Sequence, residues 1–293
     1  MKPMTRIEQA LATAISSGEG PGCPPKLVGA IRHAVFPGGA RIRPQLCLAV
    51  AQACGDDDPG LSEATASAIE LLHCASLVHD DLPCFDDSPT RRGRASVHYA
   101  YGESLAVLAG DALIVLAFQT LSAHAGRSPQ RLAPLIATIA QGVGMPTGSV
   151  AGQAWECEPR VSLADYQRAK TGALFAAATM AGAQSAGACA GPWRALGEWL
   201  GEAYQAADDI RDVAGDPRVI GKPVGRDVAL LRPSAATELG LEGAIAHFDR
   251  LVANAIEVVP ECPGAELLRG MVRTEAERLV PKAMCEDLSR LSA

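Results

Sequence analysis

A chain of 293 residues is long enough for one large core or two small ones. Apolar residues make up 48% and aromatics only 4%, which suits helices packed through small side chains and suits β-sheet poorly. A net charge of −7 lacks the basic footprint of a nucleic-acid binder. Nine cysteines, an odd number with no C-x-x-C, point to buried reduced thiols in a cytoplasmic protein rather than to a disulfide framework. Met1-Lys-Pro-Met-Thr-Arg contains no apolar signal core. No uninterrupted apolar run reaches the length of a membrane span.

The first helix is predicted over 5–17, with Ile7, Ala10, Leu11 and Ile15 on one face. A Gly/Pro loop follows, then a helix over 26–35 that stops at Pro37-Gly38-Gly39. The next helix opens with Arg41, Arg43 and Pro44. Two arginines there oppose the macrodipole. They fit either an anion held at the helix start or a solvated surface pair.

A long helix over 61–81 carries Ile69, Leu72 and Ser76 on one stripe and ends in Asp80-Asp81. Pro83 turns the chain, and Asp86 returns beside the pair. Alone, this cluster reads equally as a hard-oxygen site for a hydrated divalent cation or as a solvated loop. A helix over 104–124 is rich in Leu and Ala and contains Gly110-Asp111. Asp111, a lone acid in apolar surroundings, is either a structural cap or a partner of the arginines.

Helices are predicted over 129–142, over Ala151-Gly-Gln-Ala-Trp-Glu, and over 163–184 with Ser162 as N-cap. The last of these carries Lys170-Thr171-Gly172. A mid-helix glycine costs about 1 kcal/mol relative to alanine, so Gly172 signals close approach of another group. The helix over 193–213 has Leu196, Trp199, Leu200, Ala203, Ala207 and Ile210 as its core face. Gln205, Asp208, Asp209 and Asp212 form its polar stripe, and Asp208 and Asp212 lie one turn apart. A Gly/Pro loop then presents Lys222, and amphipathic helices over 236–257 and 264–289 complete one all-α domain spanning 1–293.

Two acidic clusters, Asp80/Asp81/Asp86 and Asp208/Asp209/Asp212, come with six basic residues, Arg41, Arg43, Arg91, Arg92, Lys170 and Lys222. If the clusters face each other across a bundle, two or three Mg²⁺ ions would bridge them to a polyphosphate while the basic groups hold its remaining oxygens. The small apolar walls would suit a greasy tail on that diphosphate.

The motifs Gly38-Gly-Ala-Arg-Ile-Arg-Pro, His73-x-x-Ser-Leu-x-His-Asp-Asp-Leu-Pro, Arg91-Arg-Gly, Gly110-Asp, Lys170-Thr-Gly, Tyr204-Gln-x-x-Asp-Asp-x-x-Asp and Gly221-Lys-Pro occur in this order. With them the chain resembles the trans-isoprenyl diphosphate synthases over nearly its whole length, and within that family the bacterial geranylgeranyl diphosphate synthases of carotenoid and bacteriochlorophyll pathways. The resemblance implies an antiparallel helix bundle of the isoprenoid synthase type I fold around a deep apolar cavity. It implies a cytoplasmic homodimer that condenses isopentenyl diphosphate with dimethylallyl, geranyl or farnesyl diphosphate by ionisation, condensation and deprotonation.

By the same resemblance, Asp80, Asp81, Asp86, Asp208, Asp209 and Asp212 would hold three Mg²⁺ and the allylic diphosphate. Arg91, Lys170 and Lys222 would clamp that diphosphate. Arg43, His73 and Arg92 would hold isopentenyl diphosphate, and Thr171 and Gln205 would line the reacting region. Ala40 replaces the family's usual Lys, leaving Arg41 to compensate or the affinity for isopentenyl diphosphate to fall. Tyr204 stands where Phe is usual. Ala75, Ser76 and Leu72 lie back along the helix that ends at Asp80. Their small first pair would admit about one more isoprene unit per helical turn, giving a C20 product. Farnesyl diphosphate synthase and a non-catalytic regulatory subunit are the alternatives. An HD-type hydrolase lacks its further His ligands, a terpene cyclase would lack the second Asp set, and Cys74 and Cys84 read as packing residues.

Overall fold

The computed structural model describes residues 3–36, 38–159, 162–214 and 235–280, without the side chains of 125, 163, 212–214 and 235–238. Its helices are α1 (Pro3–Gly18), α2 (Pro25–Val35), α3 (Ile42–Ala53), α4 (Pro59–Asp80), α5 (Val97–Tyr101), α6 (Glu103–His124), α7 (Pro129–Val143), α8 (Ser149–Ala154), α9 (Leu163–Gln167), α10 (Ala173–Ser185), α11 (Arg194–Ala214), α12 (Ala235–Glu257) and α13 (Ala265–Leu279). Two strands of two residues, β1 (Thr90–Arg91) and β2 (Arg94–Ala95), form the only sheet among the described residues.

α4 is the central pillar. Asp58 caps it by accepting from the Leu61 amide at 3.3 Å, and Pro59 occupies the first turn. Leu61, Ile69, Leu71, Leu72 and Val78 bury it among α1, α2, α6 and α10. Each such large aliphatic contributes about 1.5–3 kcal/mol on burial. A helix buried this fully has no polar face to spare, so its few polar side chains need specific partners. A second core cluster joins Val50 of α3, Phe175 of α10, Leu196 of α11 and Leu268 of α13. A third packs Ala203, Ala207 and Ile210 of α11 on Ala244, Phe248 and Leu251 of α12.

α6 is long and apolar enough to cross a membrane by length and composition, but one face packs on α4. Its other face leaves Val107, Leu108 and Val115 exposed.

The helices predicted from periodicity are present within a few residues. Three features differ. The segment over 163–184 is broken by a π-turn at Arg168–Gly172. Gly240, at φ 67°, divides α12. The short hairpin at 90–95 escapes any periodicity, because two-residue strands cannot alternate. Residues beyond 280 of the helix predicted over 264–289 lie outside the described residues.

Candidate active site

The first acidic loop grows out of the end of α4. The Asp86 amide donates to the Asp80 carbonyl at 3.0 Å, and the Ser88 amide to the Asp81 carbonyl at 3.1 Å. These bonds satisfy carbonyls that a helix end leaves open and return Asp86 beside Asp80. Asp81 is only 2% exposed. Burial pushes the Asp80 and Asp81 carboxyls above the usual range, although Lys170 opposes this at Asp80 and Arg91 at Asp81. Burial thus outweighs both cations at this cluster.

The hairpin distributes three neighbouring arginines. Arg91 pairs with Arg94 across it, and the turn residues Arg92 and Gly93 both have positive φ, 53° and 74°, as a two-residue type I′ turn requires. Arg91 grips Asp81 through Nε at 3.0 Å and Nη2 at 2.5 Å. Arg92 Nη2 lies 3.8 Å from Glu70. Arg94 donates to the Phe36 carbonyl at 2.7 Å and to His33 Nδ1 at 3.0 Å.

Arg41 and Arg43, two residues apart, have opposite surroundings. Arg43 Nη1 donates to His73 Nε2 at 3.4 Å, and its guanidinium stacks over Phe175 at 4.5 Å. Its buried Nε has no hydrogen-bond partner among the described residues. Burial, with Arg43 and Arg92 nearby, pushes the His73 imidazole well below its usual range, so its ring is neutral. Arg41 instead adopts a left-handed backbone, φ 50°, at the start of α3. That turn sends its side chain inward, where it donates to Glu8 at 2.8 Å, Glu70 at 2.6 Å and the Val35 carbonyl at 2.7 Å. With its side chain fully buried and every branch engaged, Arg41 is not placed to bind a substrate or to replace the missing Lys at Ala40. The expected role for Arg41 is corrected accordingly.

Lys170 and Thr171 stand between the two acidic motifs. The π-turn that carries them is approached closely by two glycines. A Cβ on Gly152 would lie 2.3 Å from the Lys170 amide nitrogen, and one on Gly201 would lie 2.7 Å from the Gly172 Cα. α11 thus comes close to Gly172 and α8 to Lys170, but a Cβ on Gly172 itself would meet only Arg168 and Gln167, at 3.8 and 4.0 Å, so the approach does not require glycine at 172. Lys170 Nζ donates to Glu156 at 2.6 Å and lies 4.0 Å from Asp80. Burial lowers its ammonium, but Asp80, Tyr166 and Glu156 hold it above the ordinary lysine range. Burial also pushes the Tyr166 hydroxyl up to about 12. Thr171 Oγ1 donates to Gln205 Oε1 at 3.3 Å, and Gln205 Nε2 donates to Asp209 at 2.9 Å.

Asp209 is buried, and Asp208 accepts from Arg211 at 3.1 Å. Asp212 follows on α11, its side chain outside the described residues, as is all of Lys222.

Ser76, one turn before Asp80, is part-buried and donates to the His73 carbonyl at 2.8 Å. Ala75 and Leu72 are closed inside the main core. An apolar recess lined by Ile42, Leu46, Phe175, Leu200, Tyr204 and Phe248 opens elsewhere, between α3, α11, α12 and α13, and none of the three chain-length candidates lines it. Among the described residues Asp111 neither caps a helix nor meets the arginines: it is 61% exposed, and His79 at 3.9 Å is its partner. His79 itself bonds the Val107 carbonyl at 3.3 Å, a helix-end role. Cys74 is buried as a packing residue should be, whereas Cys84 is exposed and packs nothing.

Glu70 and Glu156 were not singled out by sequence reasoning. Glu70 carries the signature read at Asp111, a lone acid in an apolar helix, and is the one that is buried.

The donor set fits Mg²⁺ in chemistry: hard carboxylate oxygens, those of Asp80 and Asp81 desolvated by burial. Among the described residues, no three acidic, His or Cys side chains are already drawn together as a ligand cage.

Residues 24–263 match the family model for polyprenyl synthetase. A geranylgeranyl diphosphate synthase from Cereibacter sphaeroides is 54% identical over 94% of this chain and 96% of its own. One from Rhodobacter capsulatus is 49% identical over 94% and 95%. The structure of a geranyltransferase from Helicobacter pylori, complexed with magnesium and isoprenyl diphosphate, superposes with a TM-score of 0.78 at 28% identity, covering 95% of this chain and 98% of that one. With its all-α bundle and the match over 24–263, the chain belongs to the polyprenyl synthetase family.

Proposed function

We propose that the protein is a prenyltransferase that extends an allylic diphosphate with isopentenyl diphosphate, releasing geranylgeranyl diphosphate. The observation that carries this reading is the position of Lys170-Thr171. Lys170 lies 4.0 Å from Asp80, and Thr171 reaches Asp209 through Gln205, so one turn of chain links both acidic motifs. The two near full-length geranylgeranyl diphosphate synthase relatives support the C20 product.

Asp80, Asp81, Asp86, Asp208, Asp209 and Asp212 would hold Mg²⁺, three ions in this reading, which neutralises charge on the departing diphosphate when bound. Arg91, Lys170 and Lys222 bind the remaining oxygens of the allylic diphosphate and stabilise the same developing charge. Arg43, neutral His73 and Arg92 hold isopentenyl diphosphate so that its double bond faces the allylic carbon. Thr171 and Gln205 order the region between the two substrates. The released diphosphate takes the proton lost from the condensed product. Apolar walls exclude the water that would quench the allylic cation. Without the usual Lys at position 40, affinity for isopentenyl diphosphate is lower than in relatives that keep it.

The exposed apolar residues Leu108 and Val115 on α6 support a homodimer. We read the enzyme as cytoplasmic.

The test is incubation with Mg²⁺, isopentenyl diphosphate and each of the C5, C10 and C15 primers, followed by chromatographic sizing. A C20 product is expected. Termination at C15 would favour a farnesyl diphosphate synthase, and no elongation with any primer would favour a regulatory subunit. Ala75→Tyr, a bulky change in the core beside the part-buried Ser76, should shift the product toward C15 if the tail runs along α4; a folded variant with unchanged chain lengths would remove residues 72–76 from length control.

A further inference from the structure

Glu70 is the feature that the proposed chemistry leaves unused. It is 1% exposed, in the middle of the central helix α4. Its carboxylate accepts from Arg41 at 2.6 Å and lies 3.8 Å from Arg92 Nη2. An ion pair in such a place is costly to desolvate and is weak evidence for stability alone. Its surroundings indicate a second use. Arg92 projects from a hairpin turn at positive φ, and a Cβ on Gly39 would come within 2.9 Å of its Nε. The guanidinium is therefore bounded by Gly39 on one side and faces Glu70 on the other. Three residues beyond Glu70 on α4, His73 meets Arg43 at 3.4 Å. Glu70 also acts on Arg43, favouring its charged form, while Arg92 opposes it. Arg41, Arg43 and Arg92 are like charges gathered at one place, and Glu70 is the buried negative charge among them. Glu8 extends the chain of contacts to α1 through Arg41 at 2.8 Å.

We propose that Glu70 is a positioning residue for the isopentenyl diphosphate subsite, aligning Arg92 against Gly39 and holding the arginines together before substrate arrives. The proposal rests on the reading of Arg43, His73 and Arg92 as that subsite. Glu70 touches no substrate in this account. It acts through Arg92, and Arg41 anchors it from behind.

Steady-state kinetics test it, with each substrate varied at saturating levels of the other. Glu70→Gln should raise the KM for isopentenyl diphosphate about tenfold, the effect of one lost charge-assisted contact. The KM for the allylic primer should stay within about twofold, since Arg91 and Lys170 are untouched. A purely structural role would lower the melting temperature and the active fraction and leave both KM values alone. Glu70→Asp, which keeps the charge on a shorter arm, should fall between wild type and Gln, and it decides the matter if the Gln variant does not fold. The double variant Glu70→Gln/Arg92→Ala should be no worse than Arg92→Ala. A folded Glu70 variant with an unchanged KM for isopentenyl diphosphate, or effects that multiply in the double variant, would overturn the positioning role while leaving the subsite intact. An unchanged KM in Arg92→Ala alone would overturn the subsite reading and this proposal with it.

Discussion

Asp80 and Asp81 sit where α4 ends and the chain turns, whereas Asp208 and Asp209 sit within a continuing helix, α11. The first pair is answered from outside its own helix, by Arg91 from the hairpin and by Lys170 from the π-turn. The second is answered from within, by Gln205 one turn back and Arg211 three residues on. Like charges on one helix need nearby compensation, and Arg211 on α11 itself supplies a cation to Asp208. The helix end at Asp80 instead depends on tertiary partners more distant in sequence. The first motif thus draws its described cations from distant segments, while the second also has partners on its own helix.

That contrast can be broken most sharply at Arg91. Arg91→Ala leaves Asp81 buried without its bidentate partner, and stability should fall by about 2 kcal/mol, discounted for the partial exposure of Arg91. The carboxyl of Asp81 already lies above its ordinary range, and a group raised in the folded state binds protons more readily there than when unfolded. The deficit should therefore shrink as pH falls toward that raised value and widen toward neutrality, as read by urea denaturation at several pH values. Arg211→Ala, the matching change beside the second motif, should cost less, about 0.5–1 kcal/mol, as for a part-buried helical pair whose cation also lies over the Tyr204 ring. Equal losses at both sites would erase the distinction.

Gln205→Leu probes the internal answer of α11. Asp209 would lose a buried donor and Thr171 its acceptor, costing about 1–2 kcal/mol of stability; an unchanged midpoint would show that the Thr171–Gln205–Asp209 relay is inert. A smaller effect is expected from His73→Gln. The depressed imidazole of His73 binds protons more weakly folded than unfolded. Wild type should therefore lose stability below about pH 6.5, the unfolded histidine value, relative to the variant. Parallel melting curves for the two proteins from neutral pH to pH 5 would contradict a neutral, part-buried His73.

The helices were legible because α4 and α11 keep helical spacing over many turns, and the return of Asp86 was legible because Pro83 ends α4. What escaped is set by tertiary contact. Arg41 and Arg43 look alike in sequence, and a single left-handed backbone at Arg41 sends one inward and leaves the other facing His73 and Phe175. Asp111 and Glu70 share one signature, and only packing separates the exposed acid from the buried one. The hairpin at Arg91–Arg94 is too short to alternate, yet it aims its arginines at different partners. Cys84 sits in a loop, where neighbouring residue types say little about exposure.

The central claim, that two acidic motifs on α4 and α11 act as one site, is tested most directly by a double-mutant cycle on kcat. Asp80→Asn and Asp208→Asn should each lower kcat by about 10²–10³-fold, as does loss of one preorganised electrostatic contact. If they work as a unit, the double variant should be little worse than the poorer single one. Losses that simply multiply would contradict the account, since the two motifs would then be acting independently.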